Sequence, residues 1–300
     1  MMRLATLVLL IAMGTTAHAQ FNIMPGGQPR PLGKDTLCVR YDLRAGDTLV
    51  YRVDAQDSVN VENGQRFYKV RTERVRIVCD SVGSTGTMHL SLRLLSATER
   101  NIMGKDTTTR TTHPWVGRTH HVSIDALGHR SNERSDNDSL AGIAPGSTMQ
   151  PLLLPIIDTS CGVQNQTWLA QDTVILVENA VPNPVLAQQV YWRMLEKADT
   201  LGRSVNRIQY TQTGIGSVVL KTKDLSMDAT TTVAGYGRIS FDRKLNVILH
   251  QFATVENKFT MQLPNDIRVR GKHLISQMVT LESLTGRDRK RAWKLPTKRR

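Results

Sequence analysis

Residues 88–94 read Met-His-Leu-Ser-Leu-Arg-Leu, with an apolar side chain at every second position. Successive strand side chains point to opposite faces. Met88, Leu90, Leu92 and Leu94 therefore share a dry face, and His89, Ser91 and Arg93 a wet one. The same period recurs elsewhere. Leu49, Tyr51 and Val53 alternate with Thr48, Arg52 and Asp54, and Phe259, Met261 and Leu263 with Thr260 and Gln262. Ile267 and Val269 alternate with Arg268 and Arg270. Antiparallel sheets tolerate one wet face, whereas parallel sheets are usually covered on both. No segment sustains helical apolar spacing; residues 139–144 and 185–189 have room for a turn or two of helix. The pattern predicts an all-β chain with little helix, built as two tandem antiparallel β-meander modules, their sheets curved into a half-barrel or sandwich-like form.

Turn chemistry fits a meander. Asn63-Gly64, Leu127-Gly128, Leu201-Gly202 and Asn246 supply residues that tolerate positive φ. The threonine run from Thr107 to Thr112 suits an exposed strand. Three marks recur in the same order in both halves. Thr48, Asp80-Ser81-Val82-Gly83 and Ser123-Ile124-Asp125 are matched by Thr167, Asp199-Thr200-Leu201-Gly202 and Ser240-Phe241-Asp242, at offsets of 119, 119 and 117 residues. Repetition in register points to an internal duplication.

The chain has 300 residues, with 39 Lys+Arg against 26 Asp+Glu, a formal +13. Its 40% hydrophobic content excludes a disordered polymer, and its three cysteines exclude a disulfide-dense miniprotein. Met1-Met2-Arg3, the apolar run from Leu4 to Met13 and Ala17-His18-Ala19 read as a signal peptide cleaved before Gln20. Ten apolar residues are too few to span a bilayer, which favours a signal peptide over an anchor. No mature segment approaches the roughly 18 consecutive apolar residues of a span, so the mature chain is expected without one, in the periplasm or secreted. The expected organisation is a signal peptide (1–19), a Pro/Gly-rich flexible arm (20–35), a first β-module (36–135), a Pro-containing connector that starts the second module (136–165), a second β-module (166–285) and a basic tail (286–300). Leu152 to Leu154 in the connector are expected to plug a crevice between the modules. Cys38, Cys79 and Cys161 permit one disulfide and one free thiol, in three possible pairings. Cys79 reads as a small buried residue.

Signatures of chemistry are sparse. Ile156-Ile157-Asp158-Thr159-Ser160 has the form of an aspartic-protease turn, but a second such turn is absent, and one carboxylate cannot form the dyad. His120 and His121 are adjacent, so a strand sends them to opposite faces, and no metal-ligand spacing occurs. The sequence holds no G-x-S-x-G, S-x-x-K or P-loop, and Gly214-Ile215-Gly216 lacks the third glycine of a dinucleotide fingerprint. No catalytic residue, metal or cofactor is therefore assigned. Residues 287–300 hold eight basic residues (Arg287, Arg289, Lys290, Arg291, Lys294, Lys298, Arg299 and Arg300) against one acid. Such a block suits an anionic envelope surface, with nucleic acid disfavoured by export. Arg66, Lys69, Arg71, Arg74 and Arg76 read as a solvated sheet face.

Gly46-Asp47-Thr48, Gln166-Thr167-Trp168 after Leu154-Pro155, and Gly237 to Asp242 (Gly-x-Ile-x-Phe-Asp) resemble an uncharacterised family of exported bacterial β-rich proteins. The resemblance implies an envelope β-protein and brings no catalytic residues. The general form is also similar to curved-sheet lipoprotein carriers of the periplasm, which hold acyl chains on a concave sheet. The leading expectation is a non-catalytic binding or scaffold protein of the cell envelope, its partner an anionic envelope surface or another envelope protein. The alternative is a carrier of an apolar ligand or lipid on a face containing Leu90, Leu92, Leu94, Val190, Trp192 and Met194; a hydrolase with dispersed site residues ranks third. Oligomeric state is left open.

Overall fold

The computed structural model describes residues 36–62, 64, 66–111, 113, 115–136, 153–157, 161–175, 185–221, 226–262, 268–286 and 293–295. They form fifteen strands: β1 (Thr36–Cys38), β2 (Thr48–Val61), β3 (Arg66–Val82), β4 (Met88–Met103), β5 (Asp106–Arg110), β6 (Thr119–Ile124), β7 (Arg130–Ser135), β8 (Cys161–Val163), β9 (Thr167–Ile175), β10 (Val185–Thr200), β11 (Arg203–Lys221), β12 (Ser226–Asp242), β13 (Ile248–Gln262), β14 (Arg268–Thr285) and β15 (Trp293–Lys294). No helix occurs among the described residues. The helical turn expected at 185–189 is instead the start of β10, paired on both sides, with Val185 opposite Ser217 and Ile175. Residues 139–144, the signal peptide, Leu152 and Asp158 lie outside the described residues.

Thirteen strands make one sheet that is not closed into a barrel. Its order is β7-β6-β4-β3-β2-β14-β13-β12-β11-β10-β9, with β5 on β4 and β15 on β14. Every pairing between its named strands is antiparallel. The middle of the sheet thus joins β2 to the late strand β14, with Val53 opposite Val279. Its two edges, β7 and β9, flank the middle of the sequence. Edge β7 carries a bulge opposite Val122, where Asn132 takes φ 51°; bulges and charges such as Arg130 and Arg134 discourage further pairing at an edge.

Turn residues behave as their chemistry dictates. Leu201 and Gly202 have φ 52° and 74° between the paired Thr200 and Arg203, a two-residue hairpin with both central residues left-handed. Asp125 Oδ1 accepts the amides of Leu127 and His129, and Asp242 Oδ1 those of Lys244 and Leu245. The two aspartates thus organise the β6–β7 and β12–β13 turns in the same way. Gly128 has φ 92°, and a Cβ there would lie 2.7 Å from the Pro155 carbonyl oxygen.

The core gathers at one end of these long strands. On β2 the inward side chains from Leu49 to Asp57 are buried, while Val59 and Val61 are only half-buried. The segment from Leu37 to Leu43 crosses this closed end and buries Leu37, Val39, Tyr41 and Leu43 at alternate positions. It is tied at each crossing: Asn206 Nδ2 donates to the Cys38 carbonyl (2.6 Å), Asp42 N to Asn246 O (3.3 Å) and Tyr41 N to Ala126 O (2.8 Å). Leu153, Leu154 and Ile157 enter the same core. Tyr41 Oη donates to Pro155 O (2.9 Å), Ile157 N to Leu127 O (2.8 Å) and Trp168 Nε1 to Ile157 O (3.0 Å). Residues 153–157 therefore bridge the β6–β7 turn to β9.

Cys38 and Cys161 form a disulfide across 123 residues of sequence, and Cys79 is a buried thiol outside it. Closing so long a loop removes much entropy from the unfolded chain, by about 4–5 kcal/mol in the chain-entropy account. Replacing both cysteines with serine is expected to cost about 2–5 kcal/mol in urea unfolding. Cys79 should react with a thiol reagent only after unfolding; unchanged stability of the double variant would contradict the link.

Candidate functional site

The register sorts the inner face into rows running across the sheet. Leu90, Leu92 and Leu94 lie at the closed end and are at most 1% exposed, as is Met194; Trp192 is 2% exposed. Four of these aliphatic and thioether side chains, Leu90, Leu92, Leu94 and Met194, are thus covered by the protein's own core. Val190 is half-buried and is the member of the six-residue set that reaches solvent.

Beyond the core the inner face turns polar. One row runs Glu99, Arg71, Ala55, Gln277, Ala253, Gly237, Tyr210, Trp192, Trp168 across nine strands, from β4 to β9. It is charged at one end, small in the middle and aromatic at the other. At the charged end the Arg71 guanidinium is 5% exposed. Its Nε lies 2.8 Å from Asp57 Oδ2 and its Nη1 2.9 Å from Glu73 Oε1. His273 Nε2 lies 3.3 Å from Asp57 Oδ1. Lys69 Nζ lies 3.2 Å from Glu99 Oε2 and 5.8 Å from the centre of the Phe67 ring. Asn101 Nδ2 donates to Glu99 Oε1 (2.9 Å).

This arrangement keeps the acids ionised. Burial works to raise the Asp57 carboxyl, but hydrogen bonds and charge from His273 and Arg71 hold it below the ordinary carboxylate range. Burial likewise opposes Glu99, which Asn101 and Lys69 hold low. Burial lowers the Arg71 value, yet Glu73 and Asp57 carry it above the usual one. A general acid needs a carboxyl poised to hold a proton at neutral pH, and the Asp57 and Glu99 shifts run the opposite way. His113 sits in the field of Glu73 and Glu99, but burial lowers its value.

At the aromatic end, Trp168 and Trp192 are stacked at 6.1 Å, and Trp192 meets Tyr210 at 4.9 Å. Tyr210 lies over Gly237, where a Cβ would fall 2.4 Å from its ring. Burial pushes the Tyr210 phenol up to about 12, against a hydrogen bond with Gln251. Three buried polar atoms of the inner face, Trp192 Nε1, Asn101 Oδ1 and, at the closed end, Asn206 Oδ1, have no hydrogen-bond partner among the described residues. Leaving such an atom unsatisfied costs about 1–3 kcal/mol.

Histidine and serine alternate on the outer face of β4 and β6. His89 Nδ1 pairs with Ser123 Oγ (2.8 Å) and Ser91 Oγ with His121 Nδ1 (3.0 Å). Ser91 also donates to Asp80, so its proton is committed to a carboxylate rather than to an imidazole base. His120 is buried and bonds Ser135 (2.7 Å), on the face opposite His121. Among the described residues no group of three or more His, Cys, Asp or Glu could hold a metal. Gly214-Ile215-Gly216 lies within β11, with no loop or helix to receive a nucleotide. Of the basic tail, Trp293-Lys294 folds back on Ser283-Leu284 with Trp293 against the core, leaving Lys294 exposed; the other seven basic residues fall outside the described residues.

One expectation is corrected. The basic stripe of β3 is not a uniformly solvated face, because Arg71 is buried and Lys69 half-buried. Charge neutralisation by Asp57, Glu73 and Glu99 makes that burial tolerable. The signal lay in parity: Lys69, Arg71 and Glu73 share the odd positions of Val75, Ile77 and Cys79. Asp57 likewise shares the parity of Leu49, Tyr51, Val53 and Ala55.

Arg71→Met should cost about 3–5 kcal/mol, because two carboxylates are left buried beside an apolar stem, and Asp57→Asn with Glu73→Gln should restore most of it. Equal stability of Arg71→Met and the parent in urea would refute the assignment. The pH dependence follows from the histidines. His113 and His250 are held by burial below the ordinary 6.5, so the unfolded chain binds their protons more readily. Stability should be full above about pH 6.5 and fall as the pH drops toward the folded values. The double variant His113→Gln/His250→Gln should flatten that slope; an unaltered slope would contradict it. Asp57 adds a loss at lower pH, through its own depressed value.

No protein-family model matches the chain, and no curated protein matches it. Among solved structures, OccK5 (OpdH) of Pseudomonas aeruginosa is similar over 78% of this chain and 98% of that one, at 7% identity and a TM-score of 0.26. A likeness at that level supports no statement about this chain's fold or role.

Proposed function

We propose that this is an exported, non-catalytic binding protein of the cell envelope, and that its ligand is polar and sits on the inner face beyond the core. An orphaned inner-face atom toward each side of the sheet carries the reading: the Trp192 indole N–H on β10, a donor, and Asn101 Oδ1 on β4, an acceptor. A ligand that supplies the matching groups recovers what each loses by burial. Around them the half-buried Lys69, Gln212, Val190 and His273 offer mixed contacts. An acyl chain would face Arg71, Asp57 and Glu73 here, while Leu90, Leu92 and Leu94 are occupied by core packing. The apolar-carrier alternative is therefore the weaker reading. The hydrolase reading lacks a poised acid or an activated nucleophile in the clusters above.

Residues 1–19 supply the address, and the basic residues of 287–300 would hold the exported protein at an anionic envelope surface. The matched roles of Asp125 and Asp242 support an origin by duplication. Native mass spectrometry of the mature protein should reveal a polar adduct in one-to-one ratio. Trp192→Phe should abolish the adduct while leaving the ligand-free protein at least as stable, since the orphan N–H is gone. A stoichiometric lipid, or an adduct indifferent to Trp192→Phe, would refute the reading.

A further inference from the structure

At the far end from the sealed core, a groove of about 540 Å³ crosses the outer face of β2, β14, β13, β12 and β11. Two cross-strand rows wall it. One pairs Asn60, Lys272, Lys258, Thr232 and Ile215 in sequence, and Arg66 extends it, opposite Asn60 on β3. The other joins Glu62, Arg270, Thr260 and Thr230. Rows two residues apart along a strand are separated by about 6.6–7 Å, which admits one tetrahedral oxyanion between them. The backbone of Phe259 and Gly271 forms the floor. Phe259 turns its ring to the opposite face, and a Cβ on Gly271 would lie 2.2 Å from it. The floor is thus held by a ring seated on a glycine, and a larger residue at 271 would displace it.

The cationic donors outnumber the carboxylates beside them, Glu256 and Glu62. Lys272 and Lys258 share a single carboxylate, Glu256, at 2.5 and 3.4 Å. Arg270 and Arg66 are exposed and make no ion pair with a described residue. A guanidinium fork, two ammoniums and threonine hydroxyls together match an anion with several acceptor oxygens. Ile215, 71% exposed, ends the first row and sets an apolar contact beside the cations.

We infer that this groove binds phosphate groups, with Arg270 and Lys272 as the principal donors and Lys258 and Arg66 flanking them. The site lies on the opposite face and at the opposite end from the closed core, and it does not depend on the inner-face ligand. Phosphate presented by a lipid headgroup and phosphate free in solution are read by the same donors.

The test uses the mature full chain and two probes. Tripolyphosphate is titrated by calorimetry, and vesicles of phosphatidylcholine with or without phosphatidylglycerol are sedimented with the protein. Arg270→Gln/Lys272→Gln should weaken tripolyphosphate binding by about tenfold or more, given two lost charge-assisted contacts. A control that removes equal charge elsewhere, Arg93→Gln/Arg118→Gln, should change it by less than about twofold, since exposed charges beyond a Debye length are screened. Loss of phosphatidylglycerol binding in the groove variant identifies a headgroup. Loss with tripolyphosphate alone identifies a soluble phosphate ester, and either supports the site. Equal effects of groove and control variants, or no binding of either probe, would overturn it. Thermal melts confirm that both variants, altered only at exposed positions, remain folded.

Discussion

Sealing one end of an open sheet is the constraint on which the rest of this molecule depends. Thirteen antiparallel strands with two free edges bury one face only if something closes the space they curve around. The segment from Leu37 to Leu43 does this in cross-section, with four alternate side chains in the core and hydrogen bonds to three separate turns or strands. Residues 153–157 complete the closure from the other edge. Because Tyr41 Oη and Trp168 Nε1 converge on carbonyls of Pro155 and Ile157, the two closures brace one another. The Cys38–Cys161 disulfide ties the start of the strap to the start of the second half. Several of these contacts join positions more than a hundred residues apart, among them Tyr41 with Pro155, Cys38 with Asn206 and Cys38 with Cys161, so each must overcome a large loop-closure entropy.

With the end sealed, the inner face divides by depth. Near the strap, hydrophobic burial needs no direction, and Leu, Ile and Val fill it. Further along the strands the same face holds Asp57, Arg71 and Glu73, where removing any member leaves an uncompensated charge. Such a network is weak grounds for net stability. What it does impose is chemical character: this part of the inner face is a mutually neutralised buried ion cluster rather than a continuation of the hydrocarbon core.

Much of this was legible in the residues. Period-two alternation gave the strands, and Leu201-Gly202 and Asn246 gave turns because few other residues accept positive φ. Strand parity carried the buried ion cluster too, but a charge run reads as a solvated surface unless parity is followed through it. Long-range facts were illegible. Pairing of β2 with β14 depends on which edge each strand meets, and alternation is identical at an edge and at the centre. The disulfide was one of three pairings because spacing says nothing of proximity. The aromatic row was hidden for the same reason: Trp168, Trp192 and Tyr210 sit on three strands, and only register brings them together.

Glycine placement makes room on the sheet's inner face in a way that composition conceals. Gly237 and Gly271 each receive an aromatic ring from a neighbouring strand, Tyr210 and Phe259. A ring seated on a glycine restores the packing that the missing side chain forfeits. At Gly237 this presses Tyr210 against the inner face and extends the aromatic row. At Gly271 it seats the Phe259 ring on the inner face, beneath the backbone that floors the outer groove. One device is thus used at two depths of the same face, next to the core at Gly237 and at the far end of the strands at Gly271.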